Sequence, residues 1–186
     1  EILVKGWIQT TGYWNNPKAT EEIFKDGWLY TGDLGIMDDE GFIRITGRKK
    51  EILITSSGKN ILPAYIENLL KMSGFINQAV VFGEGKTYLT ALITLNQEEV
   101  IKFARENNLS FIDFADLTRK QEIIDLIHGE IEKKNRELAR IENIRKFTIL
   151  DKEFSQADEE VTPTFKIKRN VVTRKYKHMV DAMYEE

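Results

Sequence analysis

The chain contains no cysteine, which removes disulfides, thiolate metal sites and a cysteine nucleophile together. Its two histidines, His128 and His178, are scattered and offer no ligand spacing, so the segment is expected to hold no metal. No apolar run approaches the roughly 20 residues that a bilayer-spanning helix needs. The opening stretch Glu1-Ile2-Leu3-Val4-Lys5 lacks the basic region and the apolar core of a secretion signal. An excess of one charge is missing too: 27 Lys and Arg face 30 Asp and Glu, a net −3. Binding driven by phosphate neutralisation favours a strongly basic surface, so no nucleic-acid partner is expected and any basic site must be local. The expectation is a cytoplasmic chain.

What is present suits a globular protein. At 186 residues and 41% hydrophobic, the chain has room for one large domain or for one domain and part of another. Glu1 to Gly6 reads as a strand already under way, without Met, as if cut from a longer protein. Up to about Lys49, short β-like runs alternate with glycines, with a short helix expected from Pro17 to Phe24. Phe42 to Thr46 alternates apolar and polar after the turn Asp38-Asp39-Glu40-Gly41, a hairpin signal. From Ile52 the pattern changes. A strand Ile52 to Ile54 and a polar loop Thr55 to Asn60 precede a helix opened by Pro63, with Ile66, Leu69 and Leu70 on one face. Strands are expected over Ile76 to Phe82, Tyr88 to Leu95 and Arg145 to Leu150. Helices are expected over Gln97 to Glu106, N-capped by Asn96, and over Lys120 to Arg140, whose dense Glu/Lys/Arg pairs read as a solvated surface. A polar loop Ser155 to Glu160 and a basic helix from Asn170 close the chain. No internal repeat or low-complexity tract is present.

Three constellations carry chemical content. In Asp26-Gly27-Trp28-Leu29-Tyr30-Thr31-Gly32-Asp33, a carboxylate directly after a glycine on a sharp turn presents both oxygens to a vicinal diol, as acidic residues do when they hold a ribose. Taken alone, Thr31-Gly32-Asp33 more often caps a turn. In Gly47-Arg48-Lys49-Lys50, a glycine is followed by a guanidinium fork, which alone reads as a solvated connection. The third is Thr162-Pro163-Thr164-Phe165-Lys166-Ile167-Lys168-Arg169, which alone reads as a solvated start to a basic helix.

In order and at this spacing, Gly12-Tyr13, Pro17, Thr20, Phe24, Asp26-Gly27-Trp28-Leu29, Thr31-Gly32-Asp33, Gly41, Gly47-Arg48-Lys49, Gly58, Pro63 and Ile66-Glu67 resemble the acyl-CoA synthetase and adenylation superfamily. That superfamily's usual ending is Pro-Lys-Thr-x-Ser-Gly-Lys-Ile-x-Arg. Aligned without gaps, Thr162 falls on its threonine and Lys166 on its lysine, while Thr164 and Phe165 replace the Ser-Gly pair. The Thr-Pro-Thr-x-Lys form is similar to that of long-chain fatty-acyl-CoA synthetases, as is the long helical segment between Gln97 and Arg140. Because of the replaced pair, Lys168 remains an alternative to Lys166 as the functional amine.

The resemblance implies an α+β fold: residues 1–49 are the end of a large N-terminal, AMP-binding domain, and residues 50–186 a C-terminal lid domain with a small sheet and packed helices. It implies that Asp33 and Arg48 hold the ribose of ATP and of an acyl-adenylate. It makes Lys50 the hinge, and it places the loop Ser56-Ser57-Gly58-Lys59-Asn60, with Gly58 and Lys59, along the pantetheine arm of CoA. The reaction implied is fatty acid, ATP and CoA giving acyl-CoA, AMP and pyrophosphate. The superfamily's phosphate loop, its magnesium-binding Thr-Glu pair and its acyl pocket lie upstream and do not occur here, so Mg2+ falls to the missing N-terminal domain and this fragment alone is expected to be inactive. Adenylation drives a carboxylate against the α-phosphorus of a polyanion, and a lysine there offsets the developing charge. Lys166 is the catalytic candidate, on a loop expected to insert and withdraw. Two alternatives stand beside this reading. One is another adenylating enzyme, loading a carrier protein or activating an aryl acid. The other is a non-enzymatic fragment whose basic helix from Lys166 to His178, with Val171, Val172, Tyr176 and Met179, is a membrane-surface or nucleic-acid binding element.

Overall fold

A computed structural model of the protein, described over residues 1–185, divides into two units, Glu1–Ile52 and Leu53–Glu186. In the first, strand β1 (Leu3–Val4) is followed by helix α1 (Pro17–Ile23), β2 (Phe24–Lys25), β3 (Trp28–Tyr30), β4 (Asp33–Met37) and β5 (Ile43–Arg48). Proline begins α1 where its missing N–H costs nothing, and the Asn16 side chain accepts the Ala19 N–H at 3.1 Å to cap it. The strands make two small antiparallel sheets, β1-β3-β2 and the β4–β5 hairpin. The hairpin turns through Asp38, whose Oδ1 accepts the N–H groups of Glu40 and Phe42 at 3.1 and 2.8 Å. Among the described residues, every buried hydrophobic side chain lies at Ile61 or beyond, while Ile36, Met37, Phe42, Ile43 and Ile45 of this hairpin are exposed. Its two sheets are therefore held by backbone ladders rather than by a core of their own.

The second unit holds the core. After a 3-10 turn at Lys49–Glu51, β6 (Leu53–Ile54) and β7 (Asn60–Ile61) form a short hairpin, and α2 (Pro63–Leu70) follows. A three-stranded sheet in the order β10-β9-β8 is built from β8 (Ile76–Phe82), β9 (Leu89–Leu95) and β10 (Ile144–Ile149). Strands β8 and β9 are antiparallel; β9 and β10 are parallel. That parallel crossover contains α3 (Gln97–Glu106), α4 (Phe114–Leu117) and α5 (Gln121–Asn135), and α6 (Arg169–Lys175) and α7 (Lys177–Ala182) come last. All seven residues of β9 are buried, as a central strand covered on both faces must be. Leu89, Ala91, Ile93 and Leu95 pack with Ile66 and Leu70 of α2, Val100 of α3 and Ile123, Ile127 and Ile131 of α5. Leu92 points the other way, into a second cluster with Val80, Phe154, Val161, Val172, Tyr176 and Val180. Each such side chain, fully buried, contributes about 1.5 to 3 kcal/mol.

Five features differ from the sequence reading. Helix α5 is not simply solvated: Ile123, Ile127 and Ile131, spaced by four, form a stripe buried to within 1%. It also ends at Asn135 rather than Arg140, because the Asn135 amide accepts the Ile144 N–H at 2.9 Å and donates to the Ile144 carbonyl at 3.1 Å, turning the chain into β10. Asn96 occupies the N-cap of α3 without a side-chain capping bond, and α4, unforeseen, is capped by Asp113 through the Asp116 N–H at 2.7 Å. The terminal basic helix breaks at Tyr176 into α6 and α7. With Val172 at 0% and Tyr176 at 8% exposure, much of the apolar side offered for membrane contact is already spent on the core. No described helix is long and apolar enough to cross a membrane.

Candidate functional site

The antiparallel register of β4 and β5 sets Asp33 opposite Arg48. Arg48 Nε donates to Asp33 Oδ1 at 2.8 Å, and the hydrogen bond and charge of Asp33 hold the guanidinium pKa above its ordinary value. The carboxylate sits at the end of a stiff turn. Thr31 Oγ1 donates to the Ile2 carbonyl at 2.8 Å and accepts the Asp33 N–H at 3.1 Å, while Gly32 takes φ +74°, a left-handed conformation at little cost to glycine. Asp33 Oδ2 has no protein partner among the described residues. This gives one carboxylate oxygen and a forked donor side by side at the surface, the complement of a cis-diol, and two residues that the sequence keeps far apart are brought together. Lys50 is exposed within the 3-10 turn, just before the second unit begins.

In the second unit the loop between β6 and β7 is organised around the buried Thr55. Its Oγ1 accepts the Lys59 N–H at 3.2 Å and shares a bond with Ser57 Oγ at 3.0 Å, and its carbonyl accepts the Gly58 N–H at 2.9 Å. Gly58 takes φ +74°, and a Cβ there would meet nothing within 4 Å. Glycine is needed locally for the sign of φ, not for space. Lys59 projects from this loop exposed. The loop rests on the β8–β9 turn through the Ser56 N–H to Lys86 carbonyl bond at 3.0 Å and the Ile54 N–H to Glu84 carboxylate bond at 2.8 Å.

Lys166 sits not on a free loop but on a tight hairpin. Val161 and Ile167 form an antiparallel bridge; the Thr162 N–H donates to the Lys166 carbonyl at 2.8 Å, and the Lys166 N–H donates to Thr162 Oγ1 at 3.1 Å. Phe165, at the position where the aligned pattern has glycine, adopts φ +59° and is 71% exposed. Glycine adopts such a left-handed backbone readily, and a non-glycine residue there costs about 1 to 2 kcal/mol. Lys168 lies at the foot of the hairpin, its N–H bound to the Glu160 carbonyl at 2.8 Å.

Groups without a role in the sequence reading surround that foot. The Glu160 carboxylate, 0% exposed, accepts from Tyr176 Oη at 2.7 Å, Lys175 Nζ at 2.8 Å and the Ser155 N–H at 2.9 Å. Burial pushes its pKa up, but Lys175, Tyr176 and Ser155 outweigh that, and the net shift is downward. Asp158, hydrogen-bonded by Lys152 and Lys175, is lowered to about 2. Glu67 pairs with Arg169, whose Nη1 also donates to the Val81 carbonyl at 2.9 Å. Glu160 belongs to an acidic polar run and carries no local signal of burial; Glu67 falls within a recognised motif but nothing in the sequence names its partner. No group of three or more His, Asp or Glu side chains able to hold a metal occurs among the described residues.

The model for the AMP-binding enzyme C-terminal domain matches residues 50–186. Over its whole length the chain is 41% identical to the long-chain-fatty-acid–CoA ligase FadD15 of Mycobacterium tuberculosis, covering 31% of that protein. It is 34% identical to the long-chain-fatty-acid–CoA ligase ACSBG1 of Rattus norvegicus, again over the whole chain and 28% of that protein. The chain thus spans less than a third of the length of these curated relatives. Among solved structures, the O-succinylbenzoate coenzyme A synthetase of Bacillus subtilis in complex with AMP matches 91% of this chain and 29% of its own, with TM-score 0.61 and 28% identity. The adenylation domain of carboxylic acid reductase from Segniliparus rugosus, in complex with AMP and a co-purified carboxylic acid, matches 94% of this chain and 26% of its own with TM-score 0.74; at 22% identity it speaks for the fold alone. A family match over residues 50–186, joined to whole-chain identities above 30% with two ligases, means that this α+β chain belongs to the AMP-binding enzyme C-terminal domain family.

Proposed function

We propose that the chain is the C-terminal part of a fatty-acid:CoA ligase that makes acyl-CoA, AMP and pyrophosphate through an acyl-adenylate. The observation that carries this reading is the 41% identity to FadD15 along the entire chain, from the Asp33–Arg48 hairpin to the Lys166 hairpin. Residues 1–49 are read as the end of the large N-terminal domain and residues 50–186 as the lid. Asp33 and Arg48 hold the nucleotide ribose, Gly58 and Lys59 lie along the pantetheine arm of CoA, and Lys166 offsets charge during adenylation. Mg2+ is assigned to the upstream portion, where the superfamily's Thr-Glu pair lies, and cytoplasmic placement goes with the small-molecule substrates. Fatty acids are preferred to aryl acids because the curated relatives at 41% and 34% identity carry fatty-acid ligase names.

The test uses the full-length protein with ATP, palmitate and CoA. Palmitate-dependent exchange of pyrophosphate into ATP and accumulation of palmitoyl-CoA are expected, whereas residues 1–186 alone are expected to show neither. Exchange with benzoate but not palmitate overturns the substrate class. Lys50 is the pivot in this reading, in a short exposed turn whose backbone must rotate between half-reactions. Fixing φ with Lys50→Pro should therefore slow thioester formation by about tenfold or more while leaving adenylation within about threefold. Equal losses in both half-reactions, measured by quench-flow, rule out Lys50 as the pivot.

A further inference from the structure

We infer that Glu160 and the Glu67–Arg169 pair are positioning residues that hold the Lys166 hairpin in a fixed orientation on its unit. This rests on the adenylation role proposed for Lys166. Glu160 stands immediately before the hairpin, and its main-chain carbonyl accepts the Lys168 N–H immediately after it, at 2.8 Å. Its buried carboxylate fixes the preceding turn through Ser155 and fastens the whole to α6 through Lys175 and Tyr176. One residue therefore joins the entering strand, the leaving strand and the helix behind them. Arg169 ties the next residue on to a different part of the unit: Nη1 reaches the Val81 carbonyl at the end of β8, and Nη2 reaches Glu67 of α2, whose Oε1 also accepts the Val81 N–H at 2.8 Å.

Both anchors are little exposed, with the Arg169 and Glu67 side chains at 24% and 13% and Glu160 at 0%. Taking charges out of water is costly, and an apolar replacement often stabilises as well or better, so stability alone is a weak account of them. A carboxylate with three donors and a guanidinium with two acceptors do provide direction, which apolar packing lacks. Direction matters at Lys166, because a charge-stabilising group misplaced by about 1 Å loses on the order of a hundredfold in rate.

The experiment uses the full-length protein and reads the two half-reactions separately for Glu160→Gln, Tyr176→Phe and Arg169→Lys, each alone and combined with Lys166→Ala. Tyr176→Phe keeps the ring that packs edge-on against Phe154 and removes only the hydroxyl, so the network is tested even if Glu160→Gln does not fold. Each single variant should slow adenylation about tenfold or more at saturating substrate, with KM for ATP and fatty acid within about twofold and CoA transfer from supplied acyl-adenylate unchanged. On the Lys166→Ala background the same changes should have no further effect, since they act through the missing ammonium. Losses that multiply on that background, fall equally on both half-reactions, or do not appear overturn the positioning role while the Lys166 assignment stands. If Lys166→Ala alone leaves adenylation intact, the underlying assignment falls and the positioning role falls with it.

Discussion

Replacing Lys166 by alanine in the full-length protein is expected to slow acyl-adenylate formation on the order of a hundredfold or more, the scale of removing one preorganised electrostatic donor. The carboxylate nucleophile and the triphosphate are both anionic, so charge accumulates at the α-phosphorus as the bond forms, and an ammonium held there acts on the transition state more than on the ground state. CoA transfer from preformed acyl-adenylate should be nearly unaffected, because its nucleophile is a thiol attacking an acyl carbon. Lys168→Ala is the internal control. Both lysines carry one charge within the same short segment, but Lys168 is half-buried at the hairpin foot while Lys166 stands exposed beside the turn. A general electrostatic effect slows both variants alike. A severe loss at Lys168 with a mild one at Lys166 means that the functional amine is two residues further on, and the gapless alignment is then wrong.

The backbone conformation at Phe165 bears on that alignment in a way that residue types do not. A pattern with glycine at this position and a chain with phenylalanine look discordant as strings, yet Phe165 ends its turn in the left-handed conformation that glycine adopts most readily. The elements that were legible in the sequence are those set by local periodicity: the apolar runs of β8 and β9, the proline-opened α2 and the β4–β5 hairpin. What remained hidden is set across distance. Residues Arg136 to Arg140 are good helix formers, yet α5 stops at Asn135, whose amide is bonded to Ile144 on both its donor and acceptor sides. Tyr176 breaks the terminal helix where its hydroxyl reaches the buried Glu160, and an acidic residue at the end of a polar run gives no sign that it will have no exposed surface. The Asp33–Arg48 pair lies between these cases. Each residue stood out in its motif, but their meeting depends on a register shifted between Leu34 and Gly35.

That pairing frames what Asp33→Ala should do. Loss of charge-assisted bonds to a ribose diol is expected to weaken nucleotide binding by roughly 1.5 to 3 kcal/mol, or about 10- to 150-fold. Thermal stability should hardly change, because a pair with side chains 61% and 31% exposed contributes at most about 1 kcal/mol. A fall in affinity without a fall in melting temperature separates ribose binding from simple capping of the Thr31-Gly32-Asp33 turn, which would lose stability instead. Arg48 complicates the reading, since freeing it from Asp33 makes it more available to phosphates and partly masks the loss. Comparing ATP with 2′,3′-dideoxy-ATP removes that ambiguity. If the carboxylate acts on the diol, the wild-type protein should prefer ATP, the alanine variant, with only Arg48 left at the ribose, should discriminate far less between the two nucleotides, and the dideoxy nucleotide should bind the variant at least as well as the wild type. An equal loss for both nucleotides, measured by titration calorimetry, places the Asp33 contact somewhere other than the ribose.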